Sequence, residues 1–168
     1  MSGHADLDYV EYVTARHAWL RRVAYLLCQD WHSADDLVQV AFTRLFTYWS
    51  RAQRVDNLDG YVRTILVRAF LGQRRSSWQT RVVLAETPPE AIVTAFDQDA
   101  MLDVRAALLA VPPRQRATLV LRFYCDLDVE QAAAALGCSA GTVKSQTAKG
   151  LAAMRRVLEP SVGGAEHG

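Results

Sequence analysis

Between Tyr9 and Cys28, Val13, Leu20, Val23, Ala24 and Leu27 recur at the spacing of one helical face, which predicts a first helix. Gln29-Asp30-Trp31-His32 interrupts it. Ser33 is placed to cap a second helix, with Asp35 and Asp36 in its first turn, where negative charge suits the helix dipole. Ala34, Leu37, Val38, Ala41, Phe42, Leu45 and Trp49 then form the clearest apolar stripe in the chain. The opposite face presents Asp36, Gln39, Val40, Thr43, Arg44 and Thr47, with Val40 expected to be exposed. Such a face is either ordinary solvated surface or a docking face for a protein partner.

Residues 51–56 form a polar, basic loop. Asn57 or Asp56 starts a third helix, whose expected buried positions are Leu58, Tyr61, Val62, Ile65, Leu66 and Ala69. Arg63, Arg68, Arg74 and Arg75 point away from that face, and Trp78 follows among the cations. A basic helix of this kind suits phosphate contact with aromatic stacking on an unpaired base. It also suits a solvated basic face with Trp78 packed on the core. Residues 79–99 contain Pro88-Pro89 and predict an irregular linker, with a short helical turn near Glu90–Phe96.

Met101–Leu109 predicts a short helix, stopped by Val111-Pro112. Pro113 opens the next one, since its missing N–H costs nothing at a helix start. The core face of that helix is Ala117, Val120, Leu121 and Tyr124, and Cys125-Asp126-Leu127 is a loop. From Asp128 the pattern sharpens. Asp128 and Gln131 have the spacing of a capping box, and Val129, Ala132, Ala133 and Leu136 make one helical face. Gly137 follows where a chain leaving a helix needs positive φ, and Ser139 caps another helix two residues later. A turn this short makes the two helices cross steeply. Val143, Leu151, Met154 and Leu158 give the last helix its apolar stripe, while Lys144, Ser145, Gln146 and Lys149 lie mostly off it. The small residues Ser139, Ala140, Gly141 and Thr142 at its start would let the backbone approach a groove. This fits a helix-turn-helix whose second helix enters DNA, or an αα-hairpin with a solvated basic face. The tail after Pro160 reads as disordered.

Charge is distributed in blocks although the formal net charge of the 168 residues is only +1. Residues 51–81 hold seven arginines against two carboxylates, and residues 86–103 hold five carboxylates and no cation. Residues 139–158 hold four cations and no carboxylate. Two basic blocks around an acidic connector favour a polyanionic partner, and the connector's charge could fold back on them when DNA is absent. The three cysteines (Cys28, Cys125, Cys138) are odd in number and widely spaced, which argues against a disulfide framework. His17 and His32 stand without a ligand set, and no metal or cofactor site is expected. No apolar run reaches the ~18 residues needed to span a bilayer, and no signal peptide is evident, so a reduced, cytoplasmic protein is expected. No Gly-rich phosphate loop or nucleophile–base pair points to an enzyme.

The runs ADDLVQVAFTRLF and LLAVPPRQRATLVLRFYCDLDVEQAAAALGCSAGTVKSQTAKGLAAMRR resemble bacterial sigma factors of the extracytoplasmic-function (ECF) group, in particular the compact SigE-like actinobacterial subfamily. The resemblance covers roughly Glu11–Arg81 and Met101–Leu158. It implies an all-α fold of two small helical domains joined by a flexible linker: residues 8–78 as region 2, 79–99 as linker, 100–159 as region 4 and 160–168 as tail. It implies a transcription initiation factor without catalytic residues, which binds core RNA polymerase and promoter DNA as a monomer when free, and which an anti-sigma factor holds inactive.

By the same resemblance, Asp36, Gln39, Val40 and Thr43 contact core polymerase. Arg54, Asn57, Tyr61, Arg63, Arg68, Arg74 and Arg75 read and melt the minus-ten element. Ser139, Thr142, Lys144, Ser145, Gln146 and Lys149 read the minus-thirty-five element, with Arg122 and Glu130 in support. The chain departs from the family pattern at Val40, where an acidic residue is usual, at Arg68, where asparagine is common, and at Gly72, where a helix former is usual. A stand-alone helix-turn-helix regulator and an interaction module without a DNA role are the competing classes.

Overall fold

The computed structural model describes residues 2–81 and 98–159. The expected linker turn at Glu90–Phe96 and the tail after Pro160 lie outside the described residues. The chain divides into two units, Met1–Ala85 and Glu86–Gly168. All regular structure among the described residues is helical.

The first unit contains α1 (Ser2–Cys28), α2 (Trp31–Thr47), α3 (Trp49–Ala52) and α4 (Leu58–Arg81). Its core comes from one face of each long helix: Leu20, Val23 and Leu27 on α1, Leu37, Val38 and Leu45 on α2, and Leu66, Val67 and Phe70 on α4, all buried. Fully burying such a side chain contributes ~1.5–3 kcal/mol. α1 starts seven residues before the expected Tyr9.

The break between α1 and α2 is narrower than expected. Only Gln29 and Asp30 leave the helix, Gln29 with a left-handed φ of 60°. The cap of α2 is Asp30, not Ser33: its carboxylate accepts from the His32 and Ser33 amides, at 3.3 and 3.1 Å, and from the Ser33 hydroxyl at 2.6 Å. An aspartate two or three residues upstream of two amides outcompetes a serine already inside the turn. Trp31 thereby enters the helix and packs edge-on against Tyr25, with Arg21 over its ring at 4.5 Å. Val40 is half-buried, less exposed than its position on the polar face suggested.

Trp49 is buried as expected but belongs to α3, since the helix stops at Tyr48 and restarts. Arg51 and Ala52 are accordingly helical, and the irregular segment shrinks to residues 53–57. On α4 the buried face is rotated: Leu58, Tyr61 and Ile65 are only half-buried, and Val67 and Phe70 are buried in addition to Val62, Leu66 and Ala69. α4 packs mainly on α2 and less on α1, and contact with two neighbours widens a helix's buried arc beyond a single stripe.

The second unit contains α5 (Gln98–Leu109), α6 (Pro113–Leu119), a π-helical turn (Val120–Tyr124), α7 (Val129–Leu136) and α8 (Ala140–Leu158). α8 packs on α5, α6 and α7. Pro113 opens α6 as expected. The π turn was not anticipated. The Cys125 amide reaches back five residues to the Val120 carbonyl at 3.0 Å. The extra residue in that turn swings Tyr124 off the face of Ala117 and Leu121, so Tyr124 is 45% exposed rather than in the core. The α8 stripe also tapers: Val143 is buried, Leu151 and Met154 are half-buried, and Leu158 is exposed.

Candidate nucleic-acid interface

The helix-turn-helix is built by three local devices. Asp128 Oδ1 accepts the Gln131 amide at 2.8 Å and Gln131 Oε1 accepts the Asp128 amide at 2.9 Å, a reciprocal capping box. Gly137 ends α7 at φ 70°, where a side chain would clash with the following carbonyl. Ser139 Oγ accepts the Thr142 amide at 3.1 Å and starts α8. Ala132, Ala133 and Ala135 are buried, so α7 meets its neighbours with small side chains.

On α8 the exposed face is Gly141, Lys144, Ser145, Ala148 and Lys149. These positions follow i, i+3, i+4, i+7 and i+8, one side of a helix with two cations and three small residues. Gln146 and Thr142 are half-buried at its border. The Ser139 hydroxyl is engaged in the cap and lies 3.0 Å from Thr142 Oγ1. Glu130 is exposed in the first turn of α7. Arg122 is half-buried, donating from Nη1 to the Leu127 carbonyl at 2.7 Å and lying 5.8 Å from the Phe123 ring. Its guanidinium thus ties down the loop that leads into α7.

Sequence reasoning missed two residues that shape this unit. Arg116 is 3% exposed, and its guanidinium donates to the carbonyls of Leu108 and Val111, each at 2.9 Å, bracing the α5–α6 turn. Gly150 is buried against Leu119 of α6. The PPRQR run contained Arg116, but a lone arginine in a polar run carries no signal of burial.

In the first unit, Asp36, Gln39 and Thr43 are exposed on one face of α2, with Val40 half-buried beside them and Phe46 continuing the face at 51% exposure. Arg54 is exposed in the segment before α4. Asn57 is the cap, its Oδ1 accepting the Gly60 amide at 2.9 Å. Tyr61 and Arg63 are half-buried, and Arg68 is exposed. Arg74, Arg75 and Trp78 fall on the helical backbone of α4, and their side chains lie outside the described residues.

The entry to α4 is pinned to α1. The Tyr12 hydroxyl donates to Asp59 Oδ1 at 2.7 Å and Arg16 Nε lies 3.1 Å from the same oxygen. Burial first, then the hydrogen bond and charge of Asp59, push the Tyr12 hydroxyl well above the usual phenol range, while Arg16 and Arg63 pull it partly back. Neither Tyr12, Arg16 nor Asp59 was singled out from the sequence, because partners 43 and 47 positions apart leave no local pattern.

These features define a two-unit helical protein with a helix-turn-helix in one unit and an arginine-bearing helix in the other. Residues 12–80 match the family model of sigma-70 region 2, and residues 101–154 that of sigma-70, region 4. The RNA polymerase sigma-E factor of Streptomyces coelicolor is 34% identical over 161 residues, covering 90% of this chain and 86% of that protein. That of Streptomyces avermitilis is 33% identical over 162 residues, covering 91% and 86%. The solved sigma factor RpoE of Bartonella quintana, in complex with the anti-sigma factor NepR, shares the fold at a TM-score of 0.70 and 24% identity, over 91% of this chain and 98% of that one. The chain belongs to the ECF group of RNA polymerase sigma factors, which are transcription initiation factors. Among the described residues no helix is long and apolar enough to cross a membrane.

Proposed function

We propose that this sigma factor docks core RNA polymerase through the α2 face of Asp36, Gln39, Val40 and Thr43 and reads its promoter with both units. The observation that carries the second part is the exposed, carboxylate-free face of α8, the second helix of a capped helix-turn-helix. In the major groove, Lys144, Ser145, Gln146 and Lys149 reach base edges and phosphates of the minus-thirty-five element. Ser139 and Thr142 bring the start of α8 close to the backbone, and Glu130 and Arg122 flank it. Each well-formed base contact is worth ~1–3 kcal/mol of discrimination.

Arg54, Asn57, Tyr61, Arg63, Arg68, Arg74 and Arg75 hold the minus-ten strand. Unstacking a base costs a few kcal/mol, which phosphate contacts by these arginines offset. Since the Asn57 Oδ1 already caps α4, its Nδ2 is the atom left to donate to a base. The protein performs no covalent step. It works with polymerase on the nucleoid, and an anti-sigma factor holds it inactive until released.

Run-off transcription with purified core polymerase, with and without the protein, on promoter fragments of its own genome tests this reading. Discrete new transcripts are expected. Absence of both transcripts and core binding would overturn it in favour of a stand-alone regulator.

A further inference from the structure

Asp59 and Arg63 stand four residues apart on α4, the spacing at which an acid and an arginine meet on a helix surface. They do not pair. Asp59 Oδ1 is taken by the Tyr12 hydroxyl at 2.7 Å and by Arg16 Nε at 3.1 Å, both from α1. Arg63 Nε is buried and has no hydrogen-bond partner among the described residues. Arg63 is nonetheless close enough for its charge to act on the Tyr12 hydroxyl. Its charge is thus felt at the hydroxyl that, with Arg16, holds Asp59 Oδ1 toward α1.

The Arg16–Asp59 pair is 47% and 37% exposed, so it adds little to stability. α4 is held to its neighbours by Val62, Leu66 and Phe70, which are buried regardless of that pair.

We propose, on the assignment of Arg63 to the promoter-facing helix, that Tyr12 and Arg16 are positioning residues that withhold Asp59 from Arg63 and so keep Arg63 available to a promoter phosphate. Without Arg16, the Asp59 carboxylate turns along its own helix, captures Arg63 at i+4 and removes one cation from the DNA-facing set. Tyr12 helps hold the same oxygen toward α1.

The test measures promoter affinity of the full-length chain in complex with core polymerase over a salt series. One phosphate contact contributes about one unit to the slope of log affinity against log salt. Arg63→Ala should flatten the slope by about that amount. Arg16→Ala should flatten it similarly, Arg16→Lys should retain it, and Tyr12→Phe should flatten it partially without any change of charge. Two further outcomes separate capture from simple loss of charge. Asp59→Asn should raise affinity far more in the Arg16→Ala background than alone, and Arg63→Ala should add almost nothing to Arg16→Ala.

Additive effects in both combinations would overturn the capture. So would a wild-type slope for Arg16→Ala and Tyr12→Phe while Arg63→Ala flattens it. If Arg63→Ala itself leaves the slope unchanged while core binding persists, Arg63 is not a promoter contact, and the underlying assignment fails with the capture. Affinity for core polymerase, measured alongside, should stay at the wild-type value in every variant.

Discussion

A Cβ added to Gly150 would lie 2.9 Å from Leu119 Cδ1 and 3.0 Å from its Cγ, so α6 and α8 meet where a methyl group has no room. Leu119 is itself only 4% exposed and has little space to withdraw. Gly150→Ala gains ~1 kcal/mol of helix propensity and loses ~1–3 kcal/mol to overpacking. A net loss is expected, with the thermal midpoint of the second unit falling ~4–8 °C per kcal/mol. Part of the helical circular-dichroism transition should therefore move to lower temperature. An unchanged transition would show that Leu119 yields freely.

Arg116→Leu should destabilise the second unit by more than its loss of charge suggests. The guanidinium donates to the Leu108 and Val111 carbonyls; the Leu108 carbonyl keeps the Val111 amide, but the buried Val111 carbonyl loses its guanidinium donor, which costs ~1–3 kcal/mol. Arg116→Lys should recover only part of this, because one ammonium does not span two carbonyls as a planar fork does. Urea denaturation of both variants measures the difference.

Acid should weaken the first unit partly through Asp30. Burial alone would raise its carboxyl, but the Ser33 hydroxyl and the Ser33 and His32 amides outweigh burial and hold it below the usual aspartate range. The folded value is thus lower than the unfolded one. The contribution is complete above the unfolded value of ~3.9 and disappears as pH falls through the folded one. Asp30→Ala should cost ~1 kcal/mol at neutral pH. Asp30→Asn should retain most of the cap and lose stability less steeply in acid than the wild type. Parallel acid denaturation curves for wild type and Asp30→Asn would contradict this.

Lys149→Ala should weaken promoter binding almost uniformly across sequences and reduce the salt slope by about one. Lys144→Ala, Ser145→Ala or Gln146→Ala should instead relax selectivity at individual minus-thirty-five positions, by ~1–3 kcal/mol where a good base contact is lost. Competition assays with single-base promoter variants distinguish the two behaviours.

Asp36→Ala combined with Gln39→Ala should lower affinity for core polymerase and leave the unfolding free energy within about half a kcal/mol of wild type, because both side chains are exposed. Co-purification with core enzyme and thermal denaturation measure the two effects side by side.

The helix-turn-helix was legible in the sequence because every device that builds it is local. Asp128 and Gln131 satisfy each other's amides, Gly137 takes positive φ and Ser139 caps the next turn, all within a dozen residues. The α2 stripe was legible for the same reason, since a single period of 3.6 residues marks a face packed on one side. The cap of α2 was misread because Ser33 and Asp30 both fit a helix start, and only the three-dimensional turn lets one carboxylate take both amides and the serine hydroxyl.

By itself, the sequence determined the helical class, the two basic blocks, the reading turn and the membership that its motifs announced. Tertiary structure alone decided which oxygen Tyr12 and Arg16 share, that Arg116 is buried, that Gly150 lies against Leu119, and that a π turn expels Tyr124. Local patterns record what a residue does with neighbours three or four places away. Contacts between α1 and α4, or between α6 and α8, depend on how whole helices settle against one another, and no short stretch of chain carries that information.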